Sequence, residues 1–165
     1  MDSPPETLID EALATFLQGA VSITVGACDG SLRPCLVRAA GCRISADRRR
    51  VTLFVSASQS AAVLDCVRAK GAIAVVFNQP TTHHTFQLKS QSAEIGALEE
   101  GDLEIMANYS QAFAREVGPL GFAESLIQVL FSFSPDDVVS LSFQPAEVFS
   151  QTPGPNAGAR LKANQ

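Results

Sequence analysis

His83 and His84 are the chain's only histidines, and they stand side by side in the stretch NQPTTHHTFQLKSQSAEIG, residues 78–96. Neighbouring residues of a strand point to opposite faces, so the pair does not chelate one metal from a strand. Cys28, Cys35, Cys42 and Cys66 are spaced by 7, 7 and 24 residues without a C-x-x-C pair, and supply no zinc or redox signature. They read as small apolar residues. No G-x-S-x-G elbow, P-loop or G-x-G-x-x-G occurs, which takes support from a serine hydrolase, a nucleoside triphosphatase and a Rossmann dinucleotide enzyme. No metal site is expected, and no side chain stands out as a catalytic acid, base or nucleophile. What remains are polar residues spread over strand-like segments. Arg38 lies in RPCLVRAAG, Ser56, Ser58 and Ser60 in VSASQSAA, and Thr85, Gln87 and Lys89 in THHTFQLKS. Brought together, they offer a cation for a phosphate and hydrogen-bonding groups for a heterocycle. In sites of that kind an organic cofactor carries the reaction, and the protein supplies position and electrostatics.

The elements that must position these residues follow from periodicity. ETLIDEALATFL has apolar residues at helical spacing, and Gly19 closes it. AVSITVGAC and RPCLVRAAGCRIS read as two strands joined at Asp29-Gly30, a hairpin signal. Arg38 shares a face with Leu36, Ala40 and Cys42. Periodicity leaves open whether that face is buried around an anion or turned to solvent, with Cys35, Val37 and Ala39 inward. VTLFVS is a third strand, with Val51, Leu53 and Val55 on one face. SASQSAAVLDCVRAKG feeds a helix that Ser58 or Ser60 could cap, with Ala62, Val63, Cys66 and Val67 as its buried stripe. Its N-terminus could also receive an anion. GAIAVVFNQP is apolar on both faces and reads as a central strand. THHTFQLKSQSAEIGAL is a long alternating strand, with Thr85, Gln87 and Lys89 on one face and His84, Phe86 and Leu88 on the other. EEGDLEIMANYSQAFAREVG is an amphipathic helix burying Leu103, Met106, Ser110, Phe113 and Val117, and ESLIQVLFSF a shorter one. DDVVSLSFQPAEVFSQ returns to strand, with Val139, Leu141 and Phe143 inward. TPGPNAGARLKANQ, residues 152–165, is rich in glycine and proline and reads as irregular. Short connections between the early strands imply antiparallel pairing, so the expectation is one domain over residues 1–165, a small antiparallel barrel with peripheral helices.

Composition narrows the function. The 165 residues carry a net charge of −5, and 18% are charged. That balance argues against a nucleic-acid or anionic-membrane partner, each of which needs clustered Lys and Arg. The one basic run, Arg48-Arg49-Arg50, reads as a solvated turn. The acidic start MDSPPETLIDEALATFL lacks the features of a signal peptide, and no segment is apolar for long enough to span a membrane. A cytoplasmic location is the expectation.

The succession DGSLRPCLVRAAG, RRVTLFVSASQSAAVLDCVRAKGAIAVVF and PTTHHTFQLKSQSAEIG resembles the pyridoxamine 5′-phosphate oxidase-like family of FMN-binding split barrels, over roughly residues 15–97. The resemblance implies a fold that is mainly β with peripheral helices, a six-stranded antiparallel Greek-key split β-barrel. It implies a homodimer with FMN in clefts at the subunit interface, and an FMN-dependent oxidoreductase acting on a small molecule. By position, Arg38 would approach the phosphate or ribityl chain. Val55 and Ser56 would border the isoalloxazine by their backbone, and Ser58, Gln59, Ser60 and Ala61 would sit at the phosphate. Thr85 or Gln87 would hydrogen-bond the ring, with Lys89 on their face. The sequence departs from the family in two places: the loop SASQSAA has no Arg or Lys to clamp a phosphate, and Ser90 replaces a glycine. Nothing matches the substrate-binding arginine and histidine of true pyridoxamine phosphate oxidases. The alternative is a non-catalytic module binding flavin, deazaflavin or haem on the same barrel.

Overall fold

A computed structural model describes residues 7–162. Residues 1–6, with Pro4 and Pro5, and residues 163–165 lie outside the described part. Helix α1 (Glu11–Leu17) starts later than its sequence pattern, because the Asp10 carboxylate accepts the Leu13 N–H at 2.8 Å and caps it there. It buries Leu13, Ala14 and Leu17. Strands β1 (Ser22–Cys28) and β2 (Pro34–Arg38) form the expected hairpin. Its loop is wider than a two-residue Asp-Gly turn. Asp29 Oδ1 accepts the N–H groups of Ser31 and Arg33 at 2.8 and 3.0 Å, and Leu32, with φ 60°, takes the left-handed position of the loop.

The remaining strands are β3 (Cys42–Ile44), β4 (Val51–Ser56), β5 (Ile73–Asn78), β6 (Thr85–Ser90), β7 (Glu94–Gly96), β8 (Val138–Phe143) and β9 (Glu147–Ser150). They pair antiparallel in two sheets, ordered β2-β1-β5-β6-β9 and β3-β4-β8-β7. Among the described residues the long strands expected from the sequence are thus divided into nine shorter ones, in two sheets that do not close into one barrel. Three of the long sequence strands bend after three-residue breaks and pass from one sheet to the other, as β2 and β3, β6 and β7, and β8 and β9. The break at residues 39–41 contains Gly41 at φ 138°, where an added Cβ would lie 3.3 Å from the Phe54 ring. The break at 144–146 contains Pro145, which cannot donate to a ladder.

β5 lies at the centre of the larger sheet, as its apolar sequence suggests. Ile23, Val25, Val75, Phe77, Leu88 and Val148 point inward from that sheet, and Val51, Leu53, Val55, Leu141 and Phe143 from the other, all at most 1% exposed. These residues form one continuous core.

Helix α2 (Ala61–Lys70) buries Val63, Leu64, Cys66 and Val67, while Ala62 turns to solvent. The Cys66 sulfur lies 3.6 Å from that of Cys35, packing α2 against β2, and burial pushes the Cys35 thiol up. Helix α3 (Asp102–Val117) buries Asp102, Met106, Tyr109, Phe113, Ala114 and Val117. Leu103, expected inside, is 48% exposed. Helix α4 (Glu124–Leu130) packs on α3, and a 3₁₀ turn at Pro135–Asp137 leads into β8. Residues 152–158 form turns and bends, after which Leu161 N–H donates to Val148 O at 2.8 Å along β9. Among the described residues no helix is long and apolar enough to cross a membrane.

Candidate functional site

The outward face of the five-stranded sheet carries the strand residues that the sequence singles out. Register fixes their order. Arg38 on β2 faces Thr24 on β1, Thr24 faces Val76 on β5, Val76 faces Gln87 on β6, and Gln87 faces Phe149 on β9. The next row is Leu36, Gly26, Ala74, Lys89 and Glu147, in the same strand order. At the other end Ser22, Asn78 and Thr85 align across three strands. With strands ~4.8 Å apart, Arg38 and Gln87 stand roughly 14 Å from each other. Small side chains on β1 and β5 form a shallow floor between a rim of Leu36 and Arg38 and a rim of Lys89 and Phe149. Gly26 keeps that floor low, since a Cβ there would meet the Leu36 side chain at 3.1 Å.

Arg38 resolves the question that periodicity left open. It is exposed, and its Nη1 donates to Ser22 Oγ at 2.9 Å. Among the described residues it has no carboxylate partner, so its charge is uncompensated locally. With Ser22 and Asn78 it lines a largely apolar groove of about 390 Å³ together with Phe113, Val117, Leu126 and Leu130. Lys89 Nζ sits 4.9 Å from the centre of the Phe149 ring, a cation–π contact. Gln87 Oε1 accepts from Gln151 Nε2 at 3.2 Å. Thr85 is 8% exposed and internally paired: its hydroxyl donates to His83 O at 2.8 Å and accepts from Asn78 Nδ2 at 2.7 Å.

The loop from β4 to α2 is a separate cluster. Val55 is 1% exposed with its side chain in the core, so only its backbone is offered to a ligand. Ser56 Oγ and Ser58 Oγ donate to Asp137 Oδ2 at 2.5 and 2.7 Å, and the Ser58 N–H donates to Asp137 Oδ1 at 3.0 Å. The Ala57 N–H donates to Asp137 O at 2.6 Å. These hydrogen bonds, Ser56's first, hold the Asp137 carboxyl below the usual carboxylate range. Gln59 is exposed, and its N–H donates to Ser56 Oγ at 3.2 Å. Ser60 occupies the N-cap position of α2, yet its side chain does not cap the helix. It is 1% exposed, and among the described residues its Oγ has no hydrogen-bond partner.

Asp137 is the residue that sequence reasoning missed. It was placed at the start of a strand, and its contact with Ser56 spans 81 residues. The available signal was indirect: a loop rich in donors that lacks a cation, and an acidic pair elsewhere in the chain.

The two histidines part ways. His83 adopts φ 60° in the turn before β6. His84 joins an aromatic group, its ring centre 5.4 Å from Phe16 and 5.1 Å from Phe86. That group lines a groove of about 570 Å³ with Leu8, Leu13 and Leu161, on the opposite side of β6 from Gln87 and Lys89.

No protein-family model matches the chain, and no curated protein matches it. Solved structures do. An F420 reductase is similar over 85% of this chain and 98% of its own, with a TM-score of 0.56 at 12% identity. HupZ of Group A Streptococcus is similar over 91% of this chain and 99% of its own, with a TM-score of 0.54 at 14% identity. A putative pyridoxamine 5′-phosphate oxidase of Lactobacillus delbrueckii is similar over 86% and 93%, with a TM-score of 0.53 at 11% identity. At such identities the likeness is one of backbone architecture, and the chain carries the fold of the pyridoxamine 5′-phosphate oxidase-like proteins.

Proposed function

We infer that the protein binds a flavin-type cofactor on the outward face of its five-stranded sheet and acts as an oxidoreductase on a small molecule. One observation carries this reading: the cross-strand row that begins at the uncompensated Arg38, crosses small residues and ends at Gln87 and Phe149, with Lys89 in the row beside it. The row is long enough for a three-ring heterocycle and part of its side chain. Arg38 would meet the cofactor's negative charge, Gln87 would present its amide to the ring edge, and Lys89 would stand at the same edge. A bound flavin supplies the electron and hydride chemistry, and the chain supplies position and charge.

FMN is the first candidate, and the residues fit it only in part. The sheet face suits the ring. The loop at Ser56, Ser58, Gln59 and Ser60 does not suit the phosphate, because hydroxyls and an N–H that would bind it already serve Asp137. No step of a reaction is therefore assigned through a phosphate in that loop. A second reading is a deazaflavin of the kind named in the F420 reductase, and the similarity to that structure favours it. We further read the two sheets, which share three bent strands, as a split barrel of six long strands. The same reading makes residues 1–165 one domain and the protein a cytoplasmic homodimer with the cofactor at the subunit interface. Leu36, 71% exposed on the proposed face, would be covered by the second copy, and sedimentation at micromolar concentration would return the mass of two chains.

The purified protein, or the apoprotein after addition of FMN, is expected to show flavin absorption that bleaches with dithionite. A colourless protein that binds neither FMN nor riboflavin would defeat the reading. Arg38→Ala is expected to weaken flavin binding by about tenfold to a hundredfold, the scale of a hydrogen bond to a charged group. Its unfolding midpoint should not move, since Arg38 is exposed and loses one bond to Ser22. Unchanged affinity would remove Arg38 from the site.

A further inference from the structure

The β4–α2 loop is built as an anion seat. Two hydroxyls and a backbone N–H converge on one point just before a ten-residue helix whose free N–H groups carry partial positive charge. Ser60 belongs to the same turn, its N–H donating to Ser56 O at 3.0 Å, and its buried Oγ has no partner among the described residues. The anion on this seat comes from the chain itself. Asp137 reaches it from the 3₁₀ turn before β8 and is held twice. Its carboxylate takes three donors, and its backbone O accepts from Ala57. Among the described residues no cation pairs with that carboxylate. Residues 56–61 contain no Lys or Arg. The occupied seat is thus negative, and an entering phosphate would meet both spent donors and a like charge.

We propose that Asp137 is the resident anion of this seat and a determinant of ligand choice, excluding phosphate from Ser56 and Ser58 so that a phosphate contributes nothing to cofactor binding there. The identity of the cofactor rests on the flavin reading above, but the occupation of the seat does not. A flavin without a phosphate, or one whose anionic group lies at Arg38 alone, is the ligand such a site accepts. Removing the carboxylate frees three donors ahead of α2, and the seat then takes an external anion.

The test compares FMN, riboflavin and inorganic phosphate as probes of wild type, Arg38→Ala, Asp137→Ala and Asp137→Asn. The asparagine variant removes the charge while keeping an acceptor for Ser56, and so guards against loss of the loop's fold. With Arg38 replaced by alanine and Asp137 kept, FMN and riboflavin are expected to bind within about twofold of each other, since the seat then has nothing to offer the phosphate. In the Asp137 variants the preference for FMN is expected to rise about tenfold, and adding Ser58→Ala should abolish the gain. Millimolar phosphate is expected to raise the melting temperature of the Asp137 variants and leave wild type unmoved. A tenfold preference of Arg38→Ala for FMN would overturn the proposal, as would Asp137 variants with an unchanged preference and no response to phosphate. If no flavin binds to any form while phosphate stabilises the variants alone, the seat assignment stands and the flavin reading falls.

Discussion

Replacing Phe54 by alanine is expected to destabilise the protein by about 3–5 kcal/mol, the range for removing a buried aromatic ring. Phe54 is fully buried although it points away from the main core. It fills a second cluster with Ala40, Met106 and Val138, against which Leu98, Ile105, Phe131 and Phe133 pack. That cluster fastens α3 and the segment before β8 to the outside of β4, and explains why both faces of β4 are buried. Gly41 comes within 3.3 Å of the ring, so the bend between β2 and β3 is shaped around it. Alanine would leave a cavity bounded by a helix and a bent strand, neither of which can collapse into it without losing ladder or helix hydrogen bonds. Total stabilities of natural domains are about 5–15 kcal/mol, so the loss is a large share of the whole. Urea unfolding should show a lower midpoint with an unchanged slope. Phe54→Leu, which keeps most of the volume, should cost clearly less. A loss below about 1 kcal/mol for the alanine variant would mean that α3 does not depend on this contact.

The same region shows where the sequence was legible. The β-branched runs of β1, β4 and β5 and the alternation of β6 fix strands that pattern alone identifies, and the inward sets Val51-Leu53-Val55 and Leu141-Phe143 follow from period two. The bends were harder. Pro145 is a readable interruption, but Gly41 matters through the nearby Phe54 ring, and a ring that far along the chain leaves no mark on the local pattern. The helix faces were legible to within one position. α3 was expected to bury Leu103 and Ser110; it buries Asp102 and Tyr109. Periodicity ranks a leucine above an aspartate for burial, and only a partner brought in by the fold reverses that order. Asp102 has Arg43 as that partner, and Tyr109 has the carbonyl of Val21, to which its hydroxyl donates at 2.7 Å. The candidate site divides in the same way. Residues of the sheet row fall on one face because strand period is local. Asp137 was invisible because its role depends on the turn before β8 coming to rest on a loop about 80 residues earlier.

Asp102→Ala is the other large expected loss, about 2–4 kcal/mol. The Asp102 side chain is fully buried and accepts three donors: Arg43 Nε at 2.9 Å, Arg43 Nη2 at 3.4 Å and the Glu99 N–H at 2.8 Å. Breaking a fully buried ion pair costs about 3–5 kcal/mol, chiefly because a charge is left unpaired. The figure here is lower because the Arg43 side chain is 28% exposed and keeps Glu99 Oε2 at 3.1 Å. Asp102→Asn preserves shape and can still accept the Glu99 N–H, yet loses the charge that faces the guanidinium, so it should fall between wild type and alanine. The pair is a fastening, and its net worth is small next to the cost of breaking it. The double variant Arg43→Met, Asp102→Leu should therefore recover most of the loss, whereas Arg43→Met alone should not. Additive losses in that cycle would show that the two residues act independently, and would leave the inward turn of Asp102 without its physical cause. With coupling of about 1.5 kcal/mol or more, the rotation of α3 that hides Asp102 and exposes Leu103 is set by one arginine on β3. The register of that helix in turn positions Phe113 and Val117 against the groove where Arg38 stands.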